Sequence, residues 1–138
     1  MIIQKKISIS SKGFNDIQDI TPVLSGYVAE SGLQDGYALV FVPGATGGLT
    51  TIEYEPGLLT DFPEMLEKFA PMGARYRHDD TWHDGNGYAH LRASLIGPSI
   101  TIPFEKRQLV LGTWQQVIFL DFDNRPRQRQ LHVQIGGE

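Results

Sequence analysis

Three of the four histidines, His78, His83 and His90, fall within thirteen residues, with Asp79, Asp80 and Asp84 between them. Imidazole and carboxylate are ligands for zinc, iron or manganese, and imidazole also moves protons near neutral pH. The spacing His-x4-His-x6-His matches no zinc signature, so a metal centre and a set of surface-loop histidines are both open readings. His90 is the strongest candidate, because it begins the apolar segment Ala89–Ile96, where a polar ring must be hydrogen-bonded or functional. Glu53 comes next. On a buried strand face its carboxyl would rise toward general-base range, whereas an exposed strand carboxylate would do nothing special. Arg92, two residues past His90, could grip phosphate or carboxylate bidentately or be a solvated side chain. Thr113 and Gln115 offer a hydroxyl and an amide to line a pocket, and Trp114 between them reads as core packing. Arg125, Arg127 and Arg129 form a basic patch beside Asp121 and Asp123, read as a solvated hairpin. No nucleophile elbow, Ser-His-Asp order or dinucleotide fingerprint is visible.

These residues need elements to hold them. Residues 2–9 alternate weakly as a first strand, and Thr21-Pro22 starts a helix to Ser31, with Thr21 as cap. Tyr37–Val42 is a continuous apolar run suited to a buried central strand. Pro43–Gly48 carries three glycines within residues 44–48, which lets something approach the backbone closely or merely loosens the connection. No Gly-Lys-Ser/Thr follows, so it is not a Walker loop. Leu49–Tyr54 reads as a strand with Thr51 and Glu53 on one face. Leu58–Ala70 is helical in pattern, with Asp61, Pro63 and Glu64 as a second start. Residues 76–90 look like a loop, and Ala89–Ile96 like a short helix. The last third is β: 99–104, 109–111, 114–122 and 129–135. In the last, Leu131, Val133 and Ile135 point in while Gln130, His132 and Gln134 point out. Strands outnumber helices and short turns link the last four. The pattern predicts an α+β domain with a mostly antiparallel sheet or sandwich and helices on one side.

Length and composition set the bounds. The 138 residues suit one domain spanning 1–138, large enough for a core without staples. There are no cysteines, which excludes disulfides and thiolate metal sites. A net charge of −4 argues against broad binding to nucleic acid or anionic membrane. The polar start Met1–Ile9 is unlike a signal peptide, and no apolar run nears the roughly 20 residues of a membrane helix. The expectation is a cytoplasmic protein.

At Ser94-Leu-Ile-Gly-Pro-Ser99 and Leu111-Gly-Thr-Trp-Gln115, followed by a basic hairpin and a terminal Gly137-Glu138, the chain resembles the YjbQ family (UPF0047). The resemblance covers nearly the whole chain. It implies a β-sandwich with a layer of helices and a homo-oligomer, a trimer or a multiple of one. It also implies a secondary thiamine-phosphate synthase activity, described for some members, which joins a pyrimidine diphosphate to a thiazole phosphate. His90 in Ala-His-Leu looks like the family histidine, Glu53 after Leu49-Thr50 like the family glutamate, and His78 matches Tyr-x-His. Many members have His-Thr-Ser or His-Thr-Thr where this chain reads Gly44-Ala45-Thr46. Asp84, Asn86 and the nearby His83 stand as replacement ligands or as a different site.

Two functional readings follow. In the first, the protein is an enzyme acting on a small phosphorylated substrate. His90, Glu53 and His78 serve as acid/base groups or ligands to a divalent metal (Mg or Zn), joined by Asp84. Thr46, Gly47 and Gly48 cradle the anionic group with backbone N–H donors, and Asn86, Arg92, Thr113 and Gln115 complete the pocket. The second reading is a non-catalytic homo-oligomer that binds a small ligand or metal. A purely structural oligomer, a third possibility, would have no pocket lined by both His90 and Glu53.

Overall fold

Strand β8 (Arg127–Gly137) buries Leu131, Val133 and Ile135 and exposes Gln130, His132 and Gln134. This alternation is the mark of a sheet with one wet face. In the computed structural model, which describes residues 1–138, β8 is the second strand of a five-stranded antiparallel sheet. It pairs with β1 (Ile2–Ser11) on one side and β3 (Gly36–Phe41) on the other; β5 (Ser99–Glu105) and β6 (Gln108–Leu109) continue the sheet past β3. A second antiparallel sheet has the order β2-β7-β4, from β2 (Asp16–Asp19), β7 (Gln116–Asp121) and β4 (Gly47–Ile52).

The two sheets pack face to face. Ile7, Ile9, Ala38, Val40, Leu131 and Val133 of the large sheet meet Leu49, Val117 and Phe119 of the small one, and Leu24 and Val28 of α1 (Thr21–Ser31) join the same core. The other face of the small sheet is covered by α2 (Pro56–Phe69) and α4 (Gly87–Ile96), and α3 (Arg77–Trp82) packs against α4. There Ile118, Leu120 and Phe122 pack against Leu66, Tyr88, Ala89 and Ala93. The architecture is therefore the expected α+β sandwich with a helical layer. It also explains why Val117–Leu120 is continuously apolar rather than alternating: the strand is dry on both faces.

The structure changes several local expectations. Residues 76–90 are not all loop, since α3 lies within them; six mostly polar residues are too few to display helical periodicity. The short polar strand β2 gave no signal for the same reason. Helix α1 is capped at Ile20 without a side-chain bond; the Thr21 hydroxyl instead accepts from the Val117 N–H at 2.7 Å. Helix α2 starts at Pro56, where the Glu55 carboxylate accepts from the Gly57 and Leu58 N–H groups, and Pro63 lies inside it. Trp114 is not a core residue: 70% of it is exposed. No helix is long and apolar enough to cross a membrane.

The turn at 123–126 is not a hairpin. β7 and β8 belong to different sheets, so the chain crosses the sandwich there. It also crosses between β1 and β2 and between β3 and β4. These three crossings are bonded side by side: Phe14 N–H to Asp123 O at 2.7 Å, Asn15 N–H to Asp121 O at 2.9 Å, and Phe122 N–H to Thr46 O at 2.9 Å. The residues with chemical potential gather at this end.

Candidate functional site

Two histidines come together across the helical layer. His78 on α3 and His90 on α4 have ring centroids 4.2 Å apart, tilted by 39°. The intervening turn is held by its own residues. His83 ends α3 in the left-handed conformation, its N–H bonded to Asp79 O at 2.8 Å. The Asp79 carboxylate accepts from the Gly87 N–H at 2.9 Å, at the start of α4. The Asp84 carbonyl accepts from the Asn124 side chain at 2.7 Å, which ties the turn to the β7–β8 crossing.

The Nδ1 of His78 is enclosed and makes no hydrogen bond. It faces Asp79 Oδ1 at 3.6 Å and Asp84 Oδ1 at 3.8 Å. The ligand atoms of His78, Asp79 and Asp84 lie within 4.8 Å of one another, so this trio could hold a cation. Burial holds His90 below the ordinary histidine pKa, and the neighbouring His78 pushes the same way; Asp123, Asp84 and Asp79 oppose them less strongly. The shift favours the neutral imidazole, which can donate from one nitrogen and accept at the other.

His90 lines a cavity of about 250 Å³ between α4 and the β3–β4 loop, together with Gly44, Ala45, Gly47, Ala93, Ser94 and Pro98. The glycine-rich loop lets α4 come close. A Cβ on Gly48 would stand 2.9 Å from the Ile96 side chain and 3.1 Å from that of Phe122, tighter than side chains pack. Beneath the loop lies a buried charge network. Arg129 donates from Nε and Nη2 to the Asp121 carboxylate at 2.8 and 2.9 Å, and from Nη2 to the Thr46 hydroxyl at 2.7 Å. Thr46 donates to Asp123 at 3.2 Å, Asn86 donates to the same carboxylate at 3.2 Å, and Arg127 does so at 2.5 Å. Burial raises the Asp123 pKa, but the Asn124 N–H, Asn86, Thr46 and the Arg127 charge outweigh it, and the carboxyl sits below its ordinary range.

A UPF0047 YjbQ-like family model matches residues 5–138. The chain belongs to this family. It is 43% identical over 118 residues to a UPF0047 protein of Archaeoglobus fulgidus, covering 86% of this chain and 89% of that one. Among solved structures, a YbjQ-like protein of unknown function from Sulfolobus solfataricus P2 superposes with a TM-score of 0.94 at 29% identity, covering 100% of this chain and 99% of the other. An uncharacterised YjbQ/UPF0047 protein from Clostridium acetobutylicum does so at 0.87 and 38% identity, covering 96% and 99%.

The remaining candidates of this UPF0047 chain are placed unevenly. Thr46 is buried and holds Arg129 and Asp123 together; Gly47 lines the cavity, and Gly48 packs on α4. Asn86 anchors the α3–α4 turn to Asp123. His83 is exposed. Arg92 is not a free cation beside His90. Its side chain is 1% exposed, and it donates to Ala70 O, to the Asn15 amide oxygen and to Glu67. An arginine can be aliphatic along its stem, and here the stem packs into the helical layer. Glu53 lies exposed just past Ile52, and the rise of about 3.3 Å per strand residue sets it roughly 20 Å along the chain from Gly47. Gln115 bonds the Thr51 hydroxyl at 3.0 Å near that far end of β4, and Thr113 is exposed beside it. Within one protomer, Glu53, Thr113 and Gln115 thus sit away from the cavity that His90 lines.

Arg129 and Asp121 were legible and misread. Arg129 shares the parity of Leu131 and Val133, the inward-facing residues of β8, and Asp121 that of Val117 and Phe119 in β7. A charge on the dry face of each of two strands is a stronger signal than the local count of arginines.

Proposed function

We propose that the protein is an enzyme acting on a small phosphorylated substrate, with the phosphate or diphosphate group held between the β3–β4 loop and α4. The observation that carries this is His90 lining the cavity, its ring 4.2 Å from the tilted ring of His78. The cavity volume of about 250 Å³ is smaller than that of a typical cofactor pocket and suits one charged group rather than a whole dinucleotide. His90 binds and orients that group through its N–H. His78, backed by Asp79 and Asp84, fixes the His90 ring in place. A divalent cation fits the donor set of His78, Asp79 and Asp84; zinc or manganese suits one imidazole and two carboxylates better than magnesium does. Such a cation would offset charge on a departing phosphate.

The reaction that the family resemblance suggests is thiamine-phosphate formation. The lone pair of the thiazole nitrogen forms the new C–N bond, and the C–O bond to diphosphate breaks with its pair on oxygen. A hydrogen bond from His90 to that oxygen stabilises the leaving diphosphate without a proton being transferred. The reading includes a cytoplasmic location and assembly as a homo-oligomer, a trimer or a multiple of it. The test is an assay with both substrates and Mn²⁺, Zn²⁺ or Mg²⁺. The His90→Ala variant is expected to lose at least about a hundredfold in rate, the low end for removing one hydrogen-bond donor to a developing oxyanion; full activity in that variant overturns the assignment.

One observation favours a second reading, a metal-binding oligomer without catalysis: the enclosed, unbonded Nδ1 of His78 between two carboxylates. Metal analysis of the untreated protein decides it. Stoichiometric zinc that is lost in His78→Ala, in a protein inactive with every phosphorylated substrate tried, supports this reading, and absence of metal removes it.

A further inference from the structure

We infer that Arg129 is the anion-recognising residue of the cavity, donating from Nη1 to an oxyanion that reaches it past the bare backbone of Gly44. The inference rests on the reading of the cavity as a phosphate site and supplies the charge which that reading lacks once Arg92 is buried elsewhere. The Arg129 side chain is 5% exposed. Its Nε and Nη2 are bonded to Asp121 and Thr46, while Nη1 bonds to nothing in the protein. Nη1 is not sealed either. The enclosed side-chain polar atoms without partners are His78 Nδ1, Asn86 Oδ1 and Tyr88 OH, so Nη1 keeps contact with solvent.

Nη1 faces the backbone of Gly44. A Cβ built there would stand 3.2 Å from Nη1, and Gly44 itself lines the cavity that His90 also lines. With φ of +107°, the position suits glycine alone, which leaves the route to Nη1 uncovered. A guanidinium donor left unpaired at the edge of a buried site is costly unless water or a ligand accepts from it. The two-point grip of Asp121 fixes the guanidinium plane, so Nη1 is pre-oriented and loses little freedom on binding. The surrounding charges also permit an anion. Arg127 and Arg129 balance Asp123 and Asp121, so an incoming oxyanion meets no excess negative charge. A cation would face the Nη1 donor and is disfavoured at this point.

The experiment uses the full chain labelled with ¹³C and ¹⁵N, titrated with inorganic phosphate at constant ionic strength. The expected result is a saturable shift of the Arg129 guanidinium resonances, moving with the amides of Gly44, Ala45 and Gly47 and with the His90 ring. A saturable shift of Gly47 and His90 with Arg129 unmoved overturns the inference and leaves the proposed phosphate site standing. No saturable shift at any of them overturns both. Arg129→Lys is expected to weaken phosphate at least tenfold. Because that variant disturbs the pair with Asp121, Gly44→Ala provides a second test: it screens Nη1 without removing the pair, and it too should weaken phosphate at least tenfold. Unchanged affinity in a folded Gly44→Ala protein overturns the inference.

Discussion

The two most deeply buried arginines do opposite work. Arg92, between helices α2 and α4, reaches Ala70 O with Nε and Nη2, Asn15 with Nη1 and Glu67 with Nη2. Every nitrogen is bonded to the protein, and the Tyr88 ring lies 5.0 Å from the guanidinium carbon. Arg129, between the sheets, is gripped just as firmly by Asp121 and Thr46 but leaves one nitrogen without a protein partner, aimed at the cavity wall. Burial alone therefore does not separate scaffold from site. The unpaired donor does, because the protein has bonded every other guanidinium nitrogen of these two arginines. Sequence proximity misleads in the same comparison: Arg92 is two residues from His90 and turns away from its cavity, whereas Arg129 is thirty-nine residues away and lies beneath it.

The comparison can be broken in several ways. The largest effect is expected at Asp121. Asp121→Ala leaves the Arg129 charge buried and unpaired, and urea denaturation should show a loss of about 3–5 kcal/mol. Arg92→Met should cost less, about 1–3 kcal/mol, since it strands the Ala70 carbonyl while Glu67 can turn to solvent. Phosphate affinity measured on this variant should stay within about twofold; a tenfold loss would put Arg92 back in the site.

Acid should also weaken the network around Arg129. The folded pKa of Asp123 lies below its unfolded value, so its contribution is complete above the unfolded value of about 4 and disappears as pH falls through the folded one. Denaturation curves between about pH 5 and 2 should therefore be flatter for Asp123→Asn than for the parent; parallel curves contradict the network. On the cavity side, NMR titration of chelator-treated protein should give His90 a pKa below the ordinary 6.5, and His78→Ala should move it upward by removing one of its causes. The smallest effect is expected at Glu53. Glu53→Gln should change stability by less than about 0.5 kcal/mol and leave phosphate affinity unaltered. A clear loss of affinity would mean that a neighbouring protomer brings Glu53 to the cavity.

The residues differ in how far sequence could place them. The value of His90 was visible because a polar ring opening an apolar helix needs a reason. Its partner His78 was visible as one of three histidines and through the Tyr-x-His match, not through periodicity, because α3 is too short and polar to show a period. Trp114 and Gln115 show the reverse error: an aromatic in a β-rich segment suggests core, but Trp114 follows the edge strand β6 and precedes the start of β7, where no second layer covers it. Arg129 lay in plain view through its inward parity and was discounted because its neighbours Arg125 and Arg127 resemble a surface patch.

What the sequence determined by itself was the class of the fold, the buried central strands and the face of each regular strand, since period-two burial is a local property of the chain. The family too was legible in short motifs. Which strands share a sheet was decided only in the tertiary structure. The crossing at 123–126 looks like a hairpin by composition, and it becomes a crossing because β8 pairs with β1 and β3 instead of β7. That long-range pairing brings Arg129 under Gly44 and the β7–β8 crossing against the α3–α4 turn. Contacts across such separations depend on the register of whole sheets, and no local pattern encodes them.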